Sequence, residues 1–98
     1  MDYEDRSGFV RVRALISGRV QHVGFRHWTC EQAERLNLTG SVENLDDGRV
    51  EVFFQGKPDL VSEMKEKLKR GSRLSVVSQI IFYNERVKEN ETFFKNIW

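Results

Sequence analysis

Nine consecutive residues, Gly18-Arg19-Val20-Gln21-His22-Val23-Gly24-Phe25-Arg26, carry the densest chemical information in this 98-residue chain. A glycine stands at the start of the run and another near its end, and the run joins a segment of alternating apolar residues to one with helical spacing. Successive amide N–H groups in such a loop can curl into a concave nest, and the start of the following helix adds the positive end of its dipole. The guest that this arrangement favours is an anion of phosphate size. Arg26, in the first helical turn, can fold back over the nest and offer a rigid, permanently charged fork to phosphate oxygens. An arginine judged by position alone is more often a solvated surface group, so the chemistry rests on the loop and the arginine together.

Other reactive side chains carry less. His27 and Cys30 are three residues apart and could share a helix face with His22 nearby, but a structural zinc site takes four ligands and the chain has no second cysteine. No metal or other cofactor is expected. Cys30 has no evident catalytic partner, and the run Lys65-Glu66-Lys67-Leu68-Lys69-Arg70 reads as a solvated helix face.

The elements that must position the loop follow from periodicity. From Phe9 to Ser17, Val10, Val12, Ala14 and Ile16 alternate with Arg11, Arg13, Leu15 and Ser17, as in a half-buried strand. Phe25, Trp28, Thr29, Ala33 and Leu36 then form one stripe of a helix that ends near Leu36, with Asn37 suited to the left-handed residue that closes it. Thr39 to Leu45 and Arg49 to Gln55 are strands joined by Asp46-Asp47-Gly48, whose Asp-Gly supplies the positive φ of a tight hairpin. Pro58 starts a second helix, with Leu60 or Val61, Met64 and Leu68 facing inward, and it runs to about Arg70. Val76 to Tyr83 is rich in β-branched and aromatic residues and reads as a strand, and Thr92 to Trp98 could add a fifth.

The order β-α-β-β-α-β is the split arrangement of ferredoxin-like domains, so the expected class is α+β: an antiparallel sheet with two helices on one face. In that topology the first two strands run parallel with the third between them, and their carboxyl ends emerge on one rim roughly 10 Å apart at about 4.8 Å per strand. The glycine loop and Asn44 would share that rim. Taken alone, Asn44 would be a strand-end residue that bonds its own turn.

Composition bounds the partners. A 39% hydrophobic content suffices for one compact domain, assigned to residues 9–98 behind a short flexible tail, residues 1–8, that lacks periodicity. Sixteen Lys plus Arg against 15 Asp plus Glu leave a net charge of +1, too little to recruit polyanions over a distance. No nucleic-acid partner is expected, and Phe53 and Phe54, adjacent on one strand, point to opposite faces where an RNA reader would need an aromatic platform. No apolar run approaches the roughly 20 residues that span a bilayer, and the single Cys30 suits a reducing compartment. A cytoplasmic monomer with no membrane partner is expected.

Taken together, Gly18-Arg19-Val20-Gln21-x-Val23-x-Phe25-Arg26, Gly40-x-Val42-x-Asn44, Asp47-Gly48-x-Val50, Gln55-Gly56 and the Gly71 turn resemble the acylphosphatase family, small ferredoxin-like hydrolases of carboxyl–phosphate mixed anhydrides. The resemblance covers most of the chain, from about Val10 onward. It implies that Arg26 binds the phosphate, that Asn44 positions the attacking water, and that amides of the loop Gln21, His22, Val23, Gly24, Phe25 and Arg26 complete the cradle. It further implies an acyl phosphate as substrate, inorganic phosphate as product and metal-independent chemistry. Three positions depart from the family pattern: His22 stands where glycine is usual, Ser41 where an aromatic residue is common, and no proline follows Gly71. A left-handed backbone at His22 would carry strain of about 1 kcal/mol, and this leaves a weakly active or inactive anion-binding module as the alternative to full activity.

Overall fold

The computed structural model describes residues 5–98. Its elements are β1 (Val10–Arg19), α1 (Phe25–Arg35), β2 (Thr39–Asn44), β3 (Val50–Gly56), α2 (Pro58–Arg70), β4 (Val76–Glu85) and β5 (Phe94–Ile97). They form one sheet in the order β4-β1-β3-β2-β5. β1 pairs antiparallel with both β3 and β4, and β2 pairs antiparallel with β3, so β1 and β2 are parallel across the central strand as expected. The fifth strand is present and runs parallel to β2, with Val42 opposite Asn96, which makes the sheet mixed at that edge.

Alternation decides which face is covered. Val12, Ala14 and Ile16 of β1, Val42 of β2, and Val50, Val52 and Phe54 of β3 are buried on one face against Phe25 and Ala33 of α1 and Val61, Met64 and Leu68 of α2. Both helices therefore lie on the same side of the sheet. α1 ends where the sequence places its stop: Asn37 has φ 55°, and the amides of Asn37 and Leu38 donate to the carbonyls of Glu34 and Ala33. This crossed pair satisfies the last carbonyls of the helix, and asparagine tolerates the left-handed backbone it needs. At the hairpin Gly48 has φ 95°, Leu45 N–H donates to Arg49 O at 2.8 Å, and the Asp47 carboxylate accepts from both the backbone and the side chain of Arg49.

Arg11 departs from the simple alternation. It falls on the face away from the helices, yet it is 4% exposed. The segment between β4 and β5 crosses that face and encloses it: Arg11 Nη1 donates to Gln55 Oε1 at 2.9 Å and to Glu91 Oε1 at 2.8 Å, and its guanidinium lies 5.1 Å from the Phe53 ring centroid. Gln55 in turn accepts from Lys88 N–H and donates to Lys88 O, both at 2.8 Å. A buried cation is tolerable here because each polar group beside it has a partner. Residues 1–4 of the expected tail lie outside the described residues. Of its remainder, Arg6 donates to the carbonyls of Lys88 and Glu91, in the same crossing segment.

Candidate active site

Near the end of β1 a bulge between Ser17 and Gly18 shifts its register against β4. Gly18 has φ 127°, and a Cβ at that position would sit 2.1 Å from Val76 O, so only glycine lets β1 remain paired with β4 through the bulge. The chain then turns through Val20, which is buried, and runs across the rim to Gly24, whose φ of 78° opens α1. Among the described residues, the amides from Gln21 to His27 donate to no carbonyl and no side-chain acceptor, and no acidic residue occupies the first turn of α1. A helix start with free donors and no neighbouring carboxylate is an electrostatically positive concavity.

This loop, Arg26 and Asn44 converge. A cavity of about 190 Å³ is lined by Val20, His22, Gly24, Phe25, Arg26, His27, Asn44, Asn96 and Trp98. Four of the expected loop residues, His22, Gly24, Phe25 and Arg26, line it together with Asn44; Gln21 and Val23 do not. Val23 packs against the core. Gln21 acts through its side chain: Nε2 donates to Leu45 O at 2.8 Å and to Arg49 O at 2.9 Å, and so ties the loop to the hairpin that carries Asn44. Both carbonyls lie beyond the end of β2 and also accept a backbone N–H within the hairpin, Leu45 O from Gly48 and Arg49 O from Leu45.

His22 has φ 62°, the left-handed backbone considered above, and its side chain is exposed. His22 thus lines the cavity as an exposed residue. Arg26 Nη1 donates to Ile97 O at 3.0 Å, and the guanidinium lies 4.3 Å from the Trp98 ring centroid. Asn44 Oδ1 is buried and has no hydrogen-bond partner among the described residues, and the same holds for Asn96 Oδ1. Unpaired buried acceptors are uncommon because each costs about 1–3 kcal/mol, and two beside one cavity mark a place built for a donor that enters it.

Sequence reasoning did not reach Asn96, Ile97 and Trp98. The signal present was the expected fifth strand; pairing it in parallel with β2 puts Asn96 beside Val42 and so on the face that carries Asn44. His27 faces Glu31 at 3.7 Å, and Cys30 is half-buried. Burial pushes the Cys30 thiol above its ordinary range, Glu34 adds to the shift and Arg26 opposes it, so Cys30 remains a protonated thiol and not a nucleophile. Among the described residues no three His, Cys, Asp or Glu side chains converge. A wider groove of about 770 Å³, bordered by Phe9, Leu38, Leu60 and Phe93, lies elsewhere and contains neither Arg26 nor Asn44.

Comparison with known proteins establishes the family and the fold. The acylphosphatase family model matches residues 12–96. An acylphosphatase of Pseudomonas aeruginosa is 49% identical over 69 residues, 70% of this chain and 76% of that one. An acylphosphatase of Trichormus variabilis is 45% identical over 75 residues, 76% of this chain and 74% of that one. The crystal structure of an acylphosphatase from Bacillus subtilis superposes with a TM-score of 0.86 at 35% identity, covering 91% of this chain and 99% of that one. The match spans nearly all of the described residues, the glycine loop and β2 included, and the chain belongs to the acylphosphatase family.

Proposed function

We propose that the protein hydrolyses acyl phosphates to a carboxylate and inorganic phosphate by in-line attack of water, without a metal ion. The observation that carries this reading is the meeting of Arg26, the free amides at the start of α1 and the unpartnered oxygen of Asn44 on one cavity. The amides and the guanidinium bind the phosphoryl oxygens and offset the charge that gathers on them in the transition state. The carbonyl oxygen of Asn44 accepts a hydrogen bond from the attacking water and so aims its lone pair at phosphorus. As the new P–O bond forms, the bond to the acyl oxygen breaks and the carboxylate leaves with the electron pair. The proton of the water passes to a phosphoryl oxygen of the substrate. A carboxylate is a good leaving group near neutral pH, so no general acid is required of the protein, in keeping with a cavity lining that contains no carboxylate side chain.

The exposed position of the His22 side chain favours an active enzyme over the blocked alternative. The direct test is hydrolysis of benzoyl phosphate followed by ultraviolet absorbance, with a chelator present, on the wild type and on Arg26→Ala. Chelator-resistant turnover that is lost in the variant is expected. Turnover that stops with chelator, or that survives Arg26→Ala, overturns the mechanism.

A further inference from the structure

Asn96 is not an incidental neighbour of the site. It enters from β5, on the opposite side of β2 from β3, and is paired in register with Val42. Val42 is fully buried on the helix face of the sheet, so Asn96 points to that face and Asn44, two residues further along β2, points there too. Strand spacing and rise place their Cα atoms about 8 Å apart on the diagonal, a gap that two carboxamides can close through one small bridging molecule. Both residues line the cavity, and both present a buried oxygen with no partner among the described residues.

The chemistry of the acceptors limits what bridges them. A dianionic phosphoryl group offers only acceptors and cannot satisfy a carboxamide oxygen. Arg26 could donate, but its Nη1 is bonded to Ile97 O and none of its nitrogens is within hydrogen-bond reach of either oxygen. Water carries two protons and can donate to both oxygens at once, which leaves its lone pairs directed away from the two strands and into the cavity.

We propose that Asn96 is a second water-holding residue, that Asn44 and Asn96 together fix both protons of the nucleophilic water before attack, and that the hydrogen bond to Asn96 is released as the new P–O bond forms, so that this proton passes to a phosphoryl oxygen while Asn44 keeps the other. This rests on the hydrolytic reading of the Arg26 cavity. One carboxamide leaves the water free to rotate about a single hydrogen bond. Two remove that rotation, so the water is oriented before substrate arrives. Asn96 therefore acts on the chemical step and not on phosphate affinity.

The test combines kinetics with crystallography. Asn96→Leu is expected to lower kcat about tenfold, the equivalent of one hydrogen bond, while KM and inhibition by inorganic phosphate stay within about twofold. Because the variant removes an acceptor that no protein group satisfies, Tm should hold or rise. The pair Asn44→Ala and Asn96→Leu should lose little more kcat than Asn44→Ala alone, since both act on one water. Unchanged kcat, a drop in Tm that parallels kcat, weakened phosphate inhibition or fully additive losses would each overturn the proposal. Crystals soaked in inorganic phosphate give a readout that does not depend on turnover: one ordered water within hydrogen-bond reach of both oxygens is expected, and its absence refutes the bridge. If that water is present and the wild type leaves benzoyl phosphate intact, the hydrolytic reading fails and the bridging site stands.

Discussion

The guanidinium of Arg26 is held between α1 and the end of β5, 4.3 Å from the Trp98 ring centroid and bonded through Nη1 to Ile97 O. A long, flexible cation is thereby ordered before it meets an anion, and part of the entropy of binding is already spent in folding. Arg26→Lys keeps the charge but loses the planar fork, and kcat/KM for benzoyl phosphate should fall by at least about 100-fold. Trp98→Ala should be milder, weakening phosphate inhibition about two- to fivefold, with Trp98→Phe restoring most of it. Equal effects of the lysine and the alanine variants would show that the stacking, not the fork, matters.

Asn44 is expected to separate binding from turnover. In Asn44→Ala the amides and Arg26 remain, so titration with inorganic phosphate should give a dissociation constant within about twofold of wild type while kcat drops about 100-fold. Parallel loss of both quantities would place Asn44 on the phosphate instead of on water.

His22 has the backbone of a glycine and the side chain of a solvent-facing residue. Relief of about 1 kcal/mol of strain in His22→Gly corresponds to at most about a fivefold gain in turnover or phosphate affinity. Thermal stability should barely change, because glycine adds a comparable entropy to the unfolded chain. His22→Val should instead destabilise by about 1–2 kcal/mol, since a β-branched residue fits the left-handed region worst. Identical kinetics in all three proteins would show that the cradle does not feel this position.

The Arg11–Glu91 pair tests the far face of the sheet. With Arg11 enclosed, Glu91→Leu leaves a buried guanidinium that retains Gln55 but no counter-charge, and urea unfolding should report a loss of about 3 kcal/mol. Turnover per folded molecule should be unchanged, because neither residue borders the cavity. A neutral effect on unfolding would mean that water reaches Arg11 and screens it.

Much of this protein is legible in its residues because the decisive signals are local. Residue patterning marks four strands and both helices and leaves the fifth strand as a possibility, Asp47-Gly48 marks the hairpin, and Asn37 marks the end of α1; each depends on the conformational preference of a few neighbours along the chain. The loop with Arg26 is readable for the same reason, since a nest and a helix start are built from consecutive residues. Other features depend on which distant segments meet. Arg11 looks like a solvent-facing strand residue until residues 88–91 cross over it, and Gln21 looks like one more loop amide until its side chain spans to Leu45 and Arg49. Asn96 and Trp98 become part of the site only because β5 pairs in parallel with β2 in one register; a slip of one residue would turn Asn96 to the other face. Register between strands about fifty residues apart is set by the fit of side chains across the finished sheet, and that fit exists only once the chain has folded.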